Sequence, residues 1–141
     1  MIIFAVDLGL VRTGIAVSDK SEGFAFPRGV ITERNEERLA EKVSAAAKKE
    51  NAELIVVGLP KNMDGSEGFR AQECTETARK IEEKSGIETV MWDERCTTVQ
   101  AHTALNFTDT RGKKRKETVD AVAAVMILES YLEYRKNKRE D

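Results

Sequence analysis

The chain has 141 residues, of which 40% are hydrophobic and 34% charged, a balance that excludes a disordered tail or a fibre and suits one compact domain. Its 23 Lys and Arg against 25 Asp and Glu leave a net charge of −2, so a grip on nucleic acid through bulk charge is not expected and any such grip rests on local clusters. No apolar run approaches the roughly 18–20 residues that span a bilayer, which argues against a membrane partner.

The opening Met1-Ile2-Ile3-Phe4-Ala5-Val6 stops at Asp7 without a basic leader, so it is not read as a signal peptide. Cys74 and Cys96 make neither a CxxC pair nor a disulfide framework, and the expected setting is reduced and cytoplasmic. Ile2 to Asp7 reads as a buried strand ended by Gly9, and Thr13 to Ser18 as its hairpin partner. Phe24 to Thr32 is a third extended stretch. Glu33 to Glu50 has helical composition, with Leu39, Val43, Ala46 and Ala47 on one face. Leu54 to Leu59 is a continuous apolar run, the pattern of a strand covered on both sides. Lys61 to Gly68 is a polar loop, Phe69 to Ser85 a helix, and Gly86 its terminator.

Thr89 to Trp92 makes a fifth strand that ends in Asp93-Glu94-Arg95. Thr97 or Thr98 caps a short helix through Ala101 and Leu105, Phe107 to Lys116 is a basic loop, and Glu117 to Tyr134 is the most apolar helix. Three strands followed by βα alternation predict an α/β fold: a mixed five-stranded sheet flanked by helices, closer to an RNase H-like sheet than to a doubly wound nucleotide fold, in a single domain over 1–141.

The carboxylates carry the chemical signal. Asp7 ends an otherwise apolar strand, Asp93 and Glu94 end another, and Asp120 lies among Val119, Ala123, Ala124 and Ile127 on the apolar helix. Small alanines one turn on leave room beside its carboxylate. Gathering such acids without a cation is costly, because like charges raise one another's pKa. A divalent ion removes that cost: Mg²⁺ takes hard oxygen ligands, and a pair of ions about 3.5–4 Å apart serves phosphodiester cleavage.

These residues fall in motifs similar to those of the YqgF family, RuvC-like bacterial nucleases known as Holliday junction resolvases and pre-16S rRNA nucleases. Asp7-Leu8-Gly9 through Arg12-Thr13-Gly14-Ile15-Ala16-Val17-Ser18-Asp19 resembles its opening motif. Val56-Val57-Gly58-Leu59-Pro60-Lys61-Asn62-Met63-Asp64-Gly65-Ser66-Glu67-Gly68 resembles the second, Asp93-Glu94-Arg95-Cys96-Thr97-Thr98 the third, and Asp120-Ala121-Val122-Ala123-Ala124 the fourth. The chain departs from the pattern at Leu10 and Val11, where members often carry a small hydroxyl and a basic residue, and at Cys96, where Leu is usual.

The resemblance implies an RNase H-like fold and a nuclease site that uses Mg²⁺ or Mn²⁺. Carried over by position, Asp7, Glu94 and Asp120 are the catalytic candidates, and Asp7, Asp93, Glu94 and Asp120 the metal candidates, with Glu94 favoured over Asp93. Arg12, Lys61, Asn62, Arg95, Lys113, Lys114, Arg115 and Lys116 are candidates for binding the nucleic-acid backbone, the last four because their run leads into the helix of Asp120.

His102 lacks a partner at ligand spacing and is read as structural, Trp92 as core, and Cys96 as no nucleophile in the absence of a paired His. The expected function is processing of the 5′ end of pre-16S rRNA, with Holliday junction resolution as the alternative. Structured RNA or branched DNA is therefore the expected partner. A non-catalytic nucleic-acid-binding module and a small phosphotransferase are the competing classes. No dimer seam is visible, and the chain is expected to be a monomer or a weak homodimer.

Overall fold

The computed structural model describes residues 1–60, 68–94 and 112–140, with the side chains of 112–120 and 139–140 outside that description. Its elements are β1 (Ile3–Asp7), β2 (Arg12–Ser18), β3 (Ala25–Thr32), α1 (Glu36–Lys49), β4 (Leu54–Leu59), α2 (Phe69–Ser85), β5 (Glu88–Asp93) and α3 (Gly112–Glu140). One five-stranded sheet runs in the order β3-β2-β1-β4-β5. β1 pairs antiparallel with β2 and parallel with β4, and β4 pairs parallel with β5. The mixed α/β sheet expected from the element order is thereby observed.

Side-chain alternation sorts the sheet into two faces. Phe4, Val6, Ile55 and Val57 face Leu39, Ala40, Val43 and Ala47 of α1 and Ala78 and Ile81 of α2. Ile3, Ala5, Leu54 and Val56 face Ala124, Ile127, Leu128, Tyr131 and Leu132 of α3. A strand apolar on both faces, as β4 is, must lie in the middle of such a stack. On β5, Trp92 is half-buried rather than fully in the core. Its ring meets Tyr131 edge-on at 5.3 Å between centroids, and its Nε1 donates to Ser130 Oγ at 3.1 Å.

Helix ends follow local chemistry. Asn35 caps α1 by accepting from the Arg38 N–H at 3.0 Å, with Glu36 and Glu37 in the first turn and Lys48 and Lys49 in the last, so both ends complement the helix dipole. This cap shortens the helix expected from Glu33. Gly86 ends α2 in the left-handed region at φ 71° and donates its N–H to Glu82 O at 2.9 Å. α3 begins at Gly112, which corrects the expectation of a loop up to Lys116: the run Lys113 to Lys116 lies in the opening turns of the helix, as good intrinsic helix formers allow. The short helix expected from Thr97 or Thr98, with His102 and Cys96, lies outside the described residues.

β3 is an edge strand. It carries Pro27, and Gly29 at φ 91°, and its pairing with β2 shifts register between Gly14 and Ala16. The β2–β3 loop is closed by Asp19, whose Oδ1 accepts from the N–H groups of Gly23 and Phe24 at 2.8 and 2.9 Å. The hydrogen bond from Ser21 Oγ above all, helped by those from the Phe24 and Gly23 N–H groups, holds the Asp19 carboxyl down at about 2. The same loop is tied to the far end of α3, where Arg135 Nε donates to Glu22 Oε1 at 2.6 Å.

The hydrogen bond from Arg135 holds the Glu22 carboxyl below its ordinary value of 4.5. A carboxylate with a lowered folded pKa stabilises the fold fully above its unfolded value, and that stabilisation is lost as pH falls through the folded value. Glu22→Gln is therefore expected to lower stability by about 1 kcal/mol near neutral pH. Urea midpoints measured down the pH scale should show the gap to the parent chain closing in acid.

Candidate functional site

The parallel register sets the level of the strand ends. Val6 is opposite Val57, so one further step brings Asp7 level with Gly58, and Gly58 is opposite Trp92. Asp7 follows Ile3 and Ala5 in the alternation and so falls on the face covered by α3. Glu94 stands two residues after Trp92, which also packs on that face.

Gly58 shows where the Glu94 side chain lies. A Cβ built on Gly58 would stand 2.5 Å from Glu94 Oε1, 2.8 Å from Glu94 Cγ and 2.7 Å from Ile127 Cδ1. Glu94 therefore reaches back over the glycine, beside α3 and next to the strand that ends in Asp7. Two of the predicted carboxylates thus come to one end and one face of the sheet. Asp93 pairs with Leu59 and follows Met91, which packs against α1 and α2, so the alternation carries Asp93 to the opposite face.

Asp120 lies in α3, one turn before the fully buried Ala124 and two before Ile127. This is the helical stripe that faces the sheet. Its side chain lies outside the described residues, as do those of Lys113, Lys114, Arg115 and Lys116. Lys61, Asn62 and Arg95 lie outside them altogether. Arg12 opens β2; with Gly14 and Ala16 it shares the face of Asp7, whose partner is Gly14, and it stands at the same end of the sheet.

Among the described residues no three His, Cys, Asp or Glu side chains form a group that could hold a metal ion. The two that converge are hard oxygen donors on one face, with the stripe of Asp120 opposite. That donor set suits a divalent ion of the Mg²⁺ or Mn²⁺ kind rather than one that prefers sulfur or imidazole.

Behind the strand ends, on the α1 and α2 side, a cavity of about 100 Å³ is lined by Leu8, Gly9, Leu10, Arg34 and Arg70 among others. A Cβ on Gly9 would stand 1.9 Å from Arg12 O, so the turn after Asp7 closes only around glycine. Arg70 Nη2 donates to Leu8 O at 2.8 Å and fixes α2 against that turn. Sequence reasoning missed Gly58, Arg34 and Arg70 as parts of this end of the molecule. A glycine inside an apolar strand is itself a sign of close approach, and was the one signal available for Gly58.

Cys74 of α2 is buried, and its thiol is pushed up to about 11. Burial is the main cause; Arg70 opposes it, while Glu94 and Asp7 add to it, so both carboxylates lie within electrostatic reach of one thiol. At mildly alkaline pH only about one thiol in a thousand is then ionised. Alkylation of Cys74, followed by peptide mass spectrometry, should be slow in the native chain and fast in urea. Gly58→Ala is expected to displace Glu94 and cost about 1–3 kcal/mol in urea unfolding, and an unchanged midpoint would show that Glu94 does not sit over this position.

Residues 1–134 match the model of the RuvX family, described as Holliday junction resolvase. A relative from Bacillus cytotoxicus, named "Putative pre-16S rRNA nuclease", is 41% identical over 137 residues, covering 94% of this chain and 98% of the relative. One of the same name from Rhizobium meliloti is 41% identical over 131 residues, covering 93% and 79%.

Among solved structures, Thermus thermophilus RuvC in complex with a Holliday junction substrate superposes with a TM-score of 0.62 at 12% identity, covering 97% of this chain and 96% of that one. The Fowlpox virus resolvase in complex with Holliday junction DNA gives 0.60 at 13% identity, covering 96% and 99%. At such identities the likeness is one of fold, and it agrees with the RNase H-like expectation. The family match over nearly the whole chain and the relatives at about two-fifths identity establish that this chain belongs to the RuvX family.

Proposed function

We propose that the chain is a divalent-metal-dependent endonuclease that processes the 5′ end of pre-16S rRNA, with Asp7, Glu94 and Asp120 as its catalytic and metal-holding carboxylates. The observation that carries this reading is that Asp7 and Glu94 fall at one end and on one face of the sheet, with Glu94 folded over Gly58. Asp93, on the opposite face, is left out of the set. The names of the curated relatives support the choice of RNA.

When bound, Mg²⁺ or Mn²⁺ supplies an activated water and neutralises the oxygen that leaves. The protein's own residues do the rest. Asp7 is fixed by a strand buried on both faces, so its carboxylate is pre-positioned rather than recruited. Glu94 is held between Gly58 and Ile127, where little freedom remains. On this reading Arg12, at the same end of the sheet as Asp7, meets a backbone phosphate, and Lys61, Asn62, Arg95, Lys113, Lys114, Arg115 and Lys116 are its further backbone contacts. A reduced, cytoplasmic setting fits a free, buried Cys74, and no helix of the described residues is long and apolar enough to cross a membrane.

Junction resolution is the second reading, supported by the description of the family. It requires two sites related by a two-fold axis, so it requires a dimer. Labelled pre-rRNA fragments and four-way junctions, incubated with Mg²⁺, Mn²⁺ or a chelator, separate the readings. Metal-dependent RNA cleavage is expected, falling about 100-fold or more in Asp7→Asn, Glu94→Gln and Asp120→Asn, the scale of several kcal/mol of lost charge stabilisation. Binding without cleavage under every condition would make the chain a non-catalytic module instead.

A further inference from the structure

Leu10 and Phe69 are 71% and 78% exposed, more than any other large apolar side chain among the described residues. Single exposed apolar residues are ordinary, but these two share one end of the fold. Leu10 stands in the turn that follows Asp7, Phe69 opens α2, and the bond from Arg70 Nη2 to Leu8 O ties the two segments together.

The cavity beside them has a definite charge pattern. Of the charged groups that line it, Arg70 is paired with Glu73 at 3.2 Å. Glu36 accepts from Thr77 Oγ1 at 2.8 Å and meets Lys80 at 3.3 Å. Arg34 is exposed and makes no ion pair among the described residues. Leu10 lines the cavity together with Arg34, and Phe69 adjoins Arg70, which lines it too. Exposed apolar side chains and an uncommitted guanidinium at one end offer both halves of a nucleotide what they need, an apolar surface for the base and a cation for its phosphate. A base inside a duplex already uses its faces for stacking, so only an unpaired base can take such a shelf.

We propose that Phe69 and Leu10 seat one unpaired base of the substrate, with Arg34 on the adjoining backbone phosphate. The site then favours strands that carry an unpaired nucleotide able to reach this end of the sheet. That such a strand is a substrate rests on the nuclease reading above; the shelf itself rests on the exposure of the two side chains and the charge of the cavity.

The test uses the full chain with an RNA hairpin that carries one 2-aminopurine, either unpaired or paired, in chelator so that no cleavage occurs. The unpaired probe should be quenched on binding and bind more tightly than the paired one. Phe69→Ala should weaken the unpaired complex about tenfold, the scale of one lost aromatic stack, and leave the paired complex within about twofold. Phe69→Trp should restore the preference, and Phe24→Ala, at the opposite end of the sheet, should change neither complex. Equal affinity for both probes, or a preference that survives Phe69→Ala, overturns the proposal. Mn²⁺ is then added to the same samples. Cleavage without the preference keeps the nuclease and removes the shelf, whereas the preference without cleavage keeps the shelf and removes the nuclease.

Discussion

The alignment of three parallel strand ends is the constraint on which the rest of the molecule depends. β1, β4 and β5 run side by side in fixed register, so the residues that end them arrive at one level. A slip by one residue would turn every side chain of β1 over, sending Phe4 and Val6 to the α3 side and Asp7 away from it. The two separate apolar layers forbid that slip, since each accepts only its own set of side chains. At the common level the middle strand has no side chain at all, and Glu94 occupies the volume that one would fill. The orientation of the acids is thus a product of core packing well below them.

This reasoning also explains what could be read from the sequence and what could not. The five strands, the two-sided burial of β4, the stop at Gly86 and the apolar stripe of α3 follow from periodicity and local residue chemistry, and all are present. The choice between Asp93 and Glu94 was open because adjacent residues in a strand face opposite ways, and an uncertainty of one residue at a strand end exchanges them. Register sends the two to opposite faces, and register is a property of pairing with Leu59 and Gly58, distant in sequence. The start of α3 is hidden for a different reason: a run of cations resembles a solvated loop in composition, although lysine and arginine favour helix. Arg34 and Arg70 gave no local sign of their shared cavity, which exists only once α2 docks on the turn after Asp7.

Charge is also distributed more unevenly than a net value of −2 suggests. On the outer side of the α1 and α2 layer, Lys80 meets Glu36 and Glu37, and Lys84 meets Glu37 and Glu41. Glu37 is held below its ordinary pKa by the hydrogen bonds from Lys80 and Lys84, and Lys80 is raised by its bonds to the two acids. Such exposed pairs add little stability each. Their effect is local: Glu36, Glu37 and Glu41 are matched by Lys80 and Lys84 across the seam between α1 and α2.

The outer margin formed by β3 has a consequence for how the chain behaves in a crowded solution. An unpaired strand invites a neighbouring molecule to continue the ladder, and a flat one would do so repeatedly. Here Pro27 withholds a donor, Gly29 takes a left-handed turn, and the shifted pairing with β2 bends the outer backbone out of line. A second molecule laid along this margin would find its ladder broken midway, so the sheet ends with its own last strand.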